Sequence, residues 1–309
     1  MDNKLTNFFS SKIKSPSKIK IALPERDGRI KMAGKILADI GLQISYVESN
    51  PHLDKHVKLL KKLDFSKNWP NENLIEYLNN PFITSLIMLR NNDVDGVVCG
   101  CTLESSEVIR NSIRIIGLEK STKWLSSMFL MIGENLDRVF SFADCAVIPE
   151  PTSNQLSNIA EKAGQFHYML TNDKPKVAFL SFSTKGSANH YRVDNVRKAV
   201  EIFGRGNPDI LHEGEIQLDA AIVPSVSDKK NHNSKLKGDA NTLIFPNLDA
   251  GNIGYKLVQR FGNYFACGPL LLGLNHPVND LSRGASVEDI VLIALITAIQ
   301  AEKRKNAHI

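Results

Sequence analysis

Short apolar runs recur along this chain, each followed by a longer stretch whose apolar residues fall at helical spacing. That alternation constrains the fold more than any other feature. Strand-like runs lie at 19–23, 44–48, 95–99, 176–180 and 242–245, and residues 220–223 keep the rhythm going. Helical periodicity occupies 29–39, 54–63, 73–90, 104–116, 153–170, 193–203 and 253–261. Two runs at 124–132 and 139–147 follow one another directly, which predicts a strand pair in a mixed sheet. Such alternation is built as α/β layers, with mostly parallel sheets flanked by helices.

A length of 309 residues suggests two domains, each with a core of its own. With 42% hydrophobic and 23% charged residues, disordered and disulfide-scaffold classes are excluded. Four cysteines and no early apolar segment predict a cytoplasmic protein with reduced thiols. The longest apolar run, 290–299, is too short to span a bilayer and reads as a fully buried helix. The net charge of +5 could meet nucleic acid, an acidic membrane surface or a polyanionic small molecule, and by itself reads as a solvated basic surface. No nucleic-acid module appears, and aromatic residues are not interleaved with the basic ones.

Ligands of parallel sheets bind beyond the carboxyl ends of strands, so the chemistry is sought there. Cys99 and Cys101 straddle one strand end and read as structural, with no second cysteine pair at metal spacing. His52 and His56 read as a surface pair, and residues 228–239 as a long mobile loop. After the strand at 176–180, Ser181, Ser183, Thr184, Lys185, Gly186 and Ser187 gather hydroxyls, an ammonium and a glycine, which is either a phosphate loop or an ordinary polar turn. In 244–256, Gly251 and Asn252 open a helix where glycines permit close approach, of an anion or of a packing neighbour. The sharpest segment is 279–290. Ser286 and Asp289 form a capping box at the head of the most apolar helix, with Asn279, Ser282 and Arg283 just before it.

Together these segments resemble the phosphate acetyl/butyryl transferase family. The likeness is carried by 21–25 (Ile-Ala-Leu-Pro-Glu), 94–98 (Val-Asp-Gly-Val-Val), 142–147 (Phe-Ala-Asp-Cys-Ala-Val), 180–188, 213–221, 244–256, 275–284 and 286–291. It implies two α/β domains, 1–123 with 275–309 and an inserted 124–274, with the active site in the cleft between them. The architecture implied is similar to that of the isocitrate and isopropylmalate dehydrogenases. The implied reaction is reversible acetyl transfer between acetyl phosphate and coenzyme A, in a homodimer, with no metal and no permanently bound cofactor; coenzyme A is a substrate. Arg110 and Arg283 are implied to engage the acyl phosphate, Ser282 to donate to the transition state, and Asp289 to take the thiol proton.

By the same likeness, Ser183, Thr184, Lys185, Gly186, Ser187, Gly251, Asn252 and Asn279 are expected to bind substrate or coenzyme A. Two departures stand out. Ala285 replaces a frequent family cysteine, so no thiol there forms an acyl-enzyme. The stretch 64–92 is short and lacks a family arginine, for which Arg90 and Arg114 are the candidates. Propionyl or butyryl phosphate as substrate, or a non-catalytic acyl-CoA sensor, are the rival readings.

Overall fold

The computed structural model describes residues 3–47 and 52–307. The chain divides into two units, Met1–Lys123 with Leu274–Ile309, and Trp124–Gly273.

The first unit contains α1 (Asn3–Ser10), β1 (Lys20–Ala22), α2 (Gly28–Asp39), β2 (Gln43–Ser45), α3 (Leu53–Leu60), α4 (Asn71–Leu78), α5 (Pro81–Arg90), β3 (Gly96–Cys99) and α6 (Ser105–Ile115). The second holds β4 (Ser126–Ile132), β5 (Val139–Ala143), α7 (Ser153–Thr171), β6 (Lys176–Leu180), α8 (Tyr191–Gly206), β7 (Leu211–Ile216), α9 (Leu218–Ile222), α10 (Pro224–Lys230), β8 (Thr242–Ile244), α11 (Leu248–Phe261) and β9 (Phe265–Leu272). The chain then returns to the first unit as β10 (Val278–Asp280) and α12 (Val287–Ala307).

The first sheet has the order β10-β3-β1-β2 and is parallel throughout. Its carboxyl ends therefore share one edge, from which the segments after Ala22, Cys99 and Asp280 emerge. Helix α12 covers this sheet, and residues 290–299 are all buried, as their apolar run predicts. Each fully buried aliphatic side chain there stabilises the fold by roughly 1.5–3 kcal/mol. Gly96 lets the helix lie close: a Cβ at this position would stand 2.5 Å from Thr297 Cγ2.

The second sheet has the order β7-β6-β8-β5-β4-β9. Its first four strands are parallel, whereas β4 runs antiparallel to both β5 and β9. The mixed pair expected at 124–147 is therefore present.

Several local expectations change. The helical stretch 73–90 is two helices, because Pro81 cannot continue α4 and instead opens α5, with Asn80 accepting from the Phe82 N–H at 2.9 Å. Glu48, the end of the expected run 44–48, lies outside the described residues. His56 is buried rather than on the surface, its Nε2 standing 3.3 Å from Asp93 Oδ2. The stretch 228–239 is not a free loop. Glu213 of β7 accepts from Asn231 Nδ2 at 2.7 Å and Ser234 Oγ at 2.6 Å, and Leu236 is packed into the core.

Candidate active site

Each unit carries a polar array at the carboxyl edge of its parallel strands, and the two differ in one respect. In the second unit the donors are consumed internally. In the first, several are left facing outward.

In the second unit, the segment after β6 turns tightly through Lys185 (φ 45°) and Gly186 (φ 86°), the left-handed region that glycine enters without cost. Its donors converge on an anion, but that anion is the protein's own. Glu215 Oε1 accepts from the Gly186 N–H at 2.7 Å and Ser183 Oγ at 3.2 Å, while Arg197 donates through Nε and Nη2 at 2.9 and 3.0 Å. Burial pushes the Glu215 carboxyl up, yet Arg197 and the Gly186 N–H outweigh it and hold it at about 2. Lys185 pairs with the buried Glu213 at 3.1 Å. Ser187 Oγ accepts from the Thr184 N–H at 3.0 Å, and Thr184 Oγ1 from the Gln217 N–H at 2.9 Å. Carboxylates of β7 thus take up donors of Ser183, Lys185 and Gly186, and Ser183 is wholly buried.

The glycines of 244–256 likewise serve packing. A Cβ on Gly251 would meet Asp144 O at 2.3 Å, and Asn252 Nδ2 donates to Cys145 O at 3.0 Å, so α11 opens directly against the turn after β5. That turn is itself built on a carboxylate: Asp144 accepts from the Ser127 hydroxyl and from the N–H groups of Ala146, Val147 and Ile148.

In the first unit, Glu25 follows β1 and accepts from the N–H groups of Gly100, Cys101, Thr102 and Leu103 at 2.7–3.1 Å, and from Thr102 Oγ1 at 2.7 Å. It thereby fixes the segment after β3. Asp27 caps α2 and grips Arg29 with both oxygens, Nε to Oδ1 at 3.0 Å and Nη2 to Oδ2 at 2.8 Å. The guanidinium holds the Asp27 carboxyl down at about 2. Arg29 Nη1 then donates to the carbonyls of Arg283 at 3.0 Å and Ala285 at 2.7 Å.

Asp280, at the end of β10, is 1% exposed and its Oδ1 has no hydrogen-bond partner among the described residues. Burial pushes its carboxyl up to about 6, opposed by hydrogen bonds from Ser105, the first residue of α6, and from the Leu281 N–H. Both neighbouring thiols are poor nucleophiles here. Burial drives Cys99 well above its ordinary value and Cys101 up to about 12.

Beyond Asp280 the chain makes a tight turn, with the Ala285 N–H donating to Ser282 O at 2.8 Å and the Gly284 N–H to Ser282 Oγ at 3.3 Å. Ser282, Arg283 and Gly284 are exposed. Because Ser282 Oγ accepts, its own proton remains to be donated. The Arg283 side chain has no partner among the described residues, and the same holds for Arg110 on the exposed face of α6. Ser286 caps α12, its Oγ accepting the Asp289 N–H at 3.1 Å, and Asp289 Oδ2 returns to the Ser286 N–H at 2.8 Å.

The remaining expected residues are placed as follows. Asn279 is wholly buried and donates to Thr297 Oγ1 at 2.8 Å and Gln300 Oε1 at 2.6 Å, binding β10 to α12. Arg90 Nη1 donates to the Ile115 carbonyl at 2.5 Å, and the Arg114 guanidinium lies 5.9 Å from the Phe65 ring centroid.

A family model described as phosphate acetyl/butaryl transferase matches residues 21–298. The chain belongs to that family. A phosphate acetyltransferase of Acetivibrio thermocellus is 39% identical over 282 residues, covering 89% of this chain and 85% of that protein. One from Bacillus subtilis is 47% identical over 208 residues, covering 67% and 63%. A solved phosphotransacetylase from Streptococcus pyogenes aligns with a TM-score of 0.90 at 34% identity, over 98% of this chain and 99% of that one.

Glu25, Asp27, Arg29 and Asp280 belong to the same polar array as the turn at 282–285, and the sequence alone did not single them out. Glu25 and Asp280 sit at or just beyond strand ends, the position where parallel sheets place their chemistry, whereas Asp27 and Arg29 belong to the start of α2.

Proposed function

We propose that the chain catalyses reversible transfer of an acetyl group between acetyl phosphate and coenzyme A, and that Ser282, Arg283, Asp289 and Arg110 carry the reaction. The observation that carries this reading is the state of the segment 282–289. It offers a hydroxyl with a free proton, an unpaired guanidinium and a carboxylate with one uncommitted oxygen, on exposed positions.

In the forward step the coenzyme A thiol gives its proton to Asp289 Oδ1. The thiolate sulfur attacks the carbonyl carbon of acetyl phosphate, forming a carbon–sulfur bond. Ser282 donates to the oxyanion as it develops, and the carbon–oxygen bond to phosphate then breaks with its electron pair leaving on phosphate. Arg283 and Arg110 neutralise that leaving group. Moving a proton from an ordinary thiol to an ordinary carboxylate costs about 6 kcal/mol, so a cation stabilising the thiolate is required. Arg283 is the candidate for that task. Direct transfer suits a site where Ala285 stands in place of a cysteine and where both nearby thiols are held protonated.

The active species is a homodimer. Support comes from α11, whose residues Ile253, Leu257 and Phe261 recur every fourth position and leave an apolar stripe exposed, Phe261 at 85%. The compartment is the cytoplasm, in keeping with four free buried cysteines. Among the described residues no helix is long and apolar enough to cross a membrane.

The test is thioester formation from coenzyme A with acetyl, propionyl and butyryl phosphate. Acetyl phosphate is expected to be used best. Turnover with none of the three refutes the enzyme reading.

A further inference from the structure

We propose that Arg29 is a positioning residue for the turn that bears Ser282 and Arg283. The inference rests on the acyl-transfer reading, and it begins from an accounting of donors. A guanidinium has five N–H groups in a fixed plane. At Arg29, Nε and one Nη2 hydrogen go to Asp27, and the other Nη2 hydrogen points to Cys101 O at 3.5 Å. Both Nη1 hydrogens go to the carbonyls of Arg283 and Ala285. All five donors are committed to protein, so none remains for a phosphate, although the side chain is 32% exposed and lies beside the candidate site.

The consequence is geometric. One guanidinium plane ties the segments after β1, β3 and β10 together. The carbonyls of Arg283 and Ala285 are turned toward Arg29, and the Ser282 and Arg283 side chains stand exposed on the same turn. Inside the turn, only the 3.3 Å bond from the Gly284 N–H and the 2.8 Å bond from the Ala285 N–H hold its shape. Arg29 supplies the two bonds that fix its place. Lysine cannot replace it, because an ammonium lacks the planar fork that meets Asp27 on one side and two carbonyls on another.

The experiment compares wild type with Arg29→Ala, Arg29→Lys and Asp27→Asn, using acetyl phosphate and coenzyme A. Melting temperature and amide exchange at Gly284 and Ala285 are read alongside. A misplacement of about 1 Å costs on the order of 100-fold in rate, so kcat is expected to fall on that order in Arg29→Ala. Arg29→Lys should recover only a small part of the loss. Asp27→Asn, which frees the guanidinium to swing, should reproduce the same loss, and the double variant should be no worse than Arg29→Ala alone. Exchange at Gly284 and Ala285 should quicken about tenfold while residues 290–299 stay protected.

Three results overturn the proposal: unchanged kcat in folded Arg29→Ala, a rise in KM for acetyl phosphate alone that Arg29→Lys restores, or unchanged exchange in the turn. The second outcome makes Arg29 a direct phosphate ligand. If Arg29→Ala fails to fold, Asp27→Asn and Arg29→Lys decide by the same readings. Wild-type protein without thioester activity refutes the acyl-transfer reading instead, and the exchange measurement then still reports on the clamp.

Discussion

Asp289 and Ser286 hold each other through three hydrogen bonds that leave one carboxylate oxygen of Asp289 free. Oδ2 accepts both the Ser286 N–H at 2.8 Å and its hydroxyl at 2.9 Å, while the Asp289 N–H donates back to Ser286 Oγ at 3.1 Å. No further bond reaches Oδ1 among the described residues. A capping box and a proton acceptor thus coexist in one side chain, and the cap fixes the direction in which the free oxygen points.

Substitutions at the two positions should therefore separate stability from turnover. Ser286→Ala removes the cap and is expected to cost about 1 kcal/mol of stability, read by denaturant unfolding, with turnover lowered only several-fold. Asp289→Asn keeps an oxygen for the cap, so stability should change little.

The two unpaired arginines should respond differently from Arg29 to a change of shape. Arg283→Ala is expected to lower kcat/KM by 100-fold or more, about 3 kcal/mol of transition-state stabilisation. Arg283→Lys should recover part of it, since a point charge still attracts phosphate. Steady-state kinetics on both variants, with Arg110→Ala beside them, checks this.

Asp280 sets a pH dependence of stability. Its folded carboxyl holds its proton up to about 6, against an ordinary value of 3.8, so the folded state binds more protons than the unfolded state between those values. Stability from this group is accordingly greatest below pH 3.8 and declines as pH rises through about 6, by up to about 3 kcal/mol. Asp280→Asn should flatten that part of the curve. Thermal melts from pH 4 to 8 read it directly, and an unchanged slope in the variant would refute the assignment. Asp27 and Glu215, both held at about 2, act in the opposite sense and in a separate window: their contribution is lost as pH falls below 4.

Gly251→Ala tests the packing reading of α11. The added methyl would stand 2.3 Å from Asp144 O, a backbone atom that cannot swing aside. The expected loss is about 1–3 kcal/mol or more. If Gly251 instead served only a ligand, stability would hold and activity alone would fall.

The fold was legible wherever one residue pattern had one physical meaning. Alternating apolar runs marked β1, β3, β6, β8 and the helices between them, and the run 290–299 marked α12 as a buried helix. Strand β7 was missed because Leu211–Ile216 carries a histidine, a glycine and two glutamates, and its place depends on pairing with β6 and on partners distant in sequence. Strand β10 is three residues long and carries no periodicity to read.

The site divides the same way. The capping box at Ser286 and Asp289 was local and readable. The composition of Ser183–Ser187, hydroxyls with a lysine and a glycine, left a phosphate loop and an ordinary polar turn equally open. It does not signal whose anion its donors meet, and Glu213 and Glu215 supply one from another strand. The Arg29 clamp was invisible for the same reason: the two carbonyls it holds on the 282–285 turn lie more than 250 residues away in sequence.

The central claim is that the free oxygen of Asp289 takes the thiol proton, and the most direct measurement is turnover of purified wild type and Asp289→Asn with acetyl phosphate and coenzyme A, with melting temperature read in parallel. The account predicts thioester formation by wild type, a loss of 100-fold or more in the variant, and melting temperatures within a few degrees of each other. A variant that keeps wild-type turnover while melting earlier would contradict it and leave Asp289 as a helix cap alone.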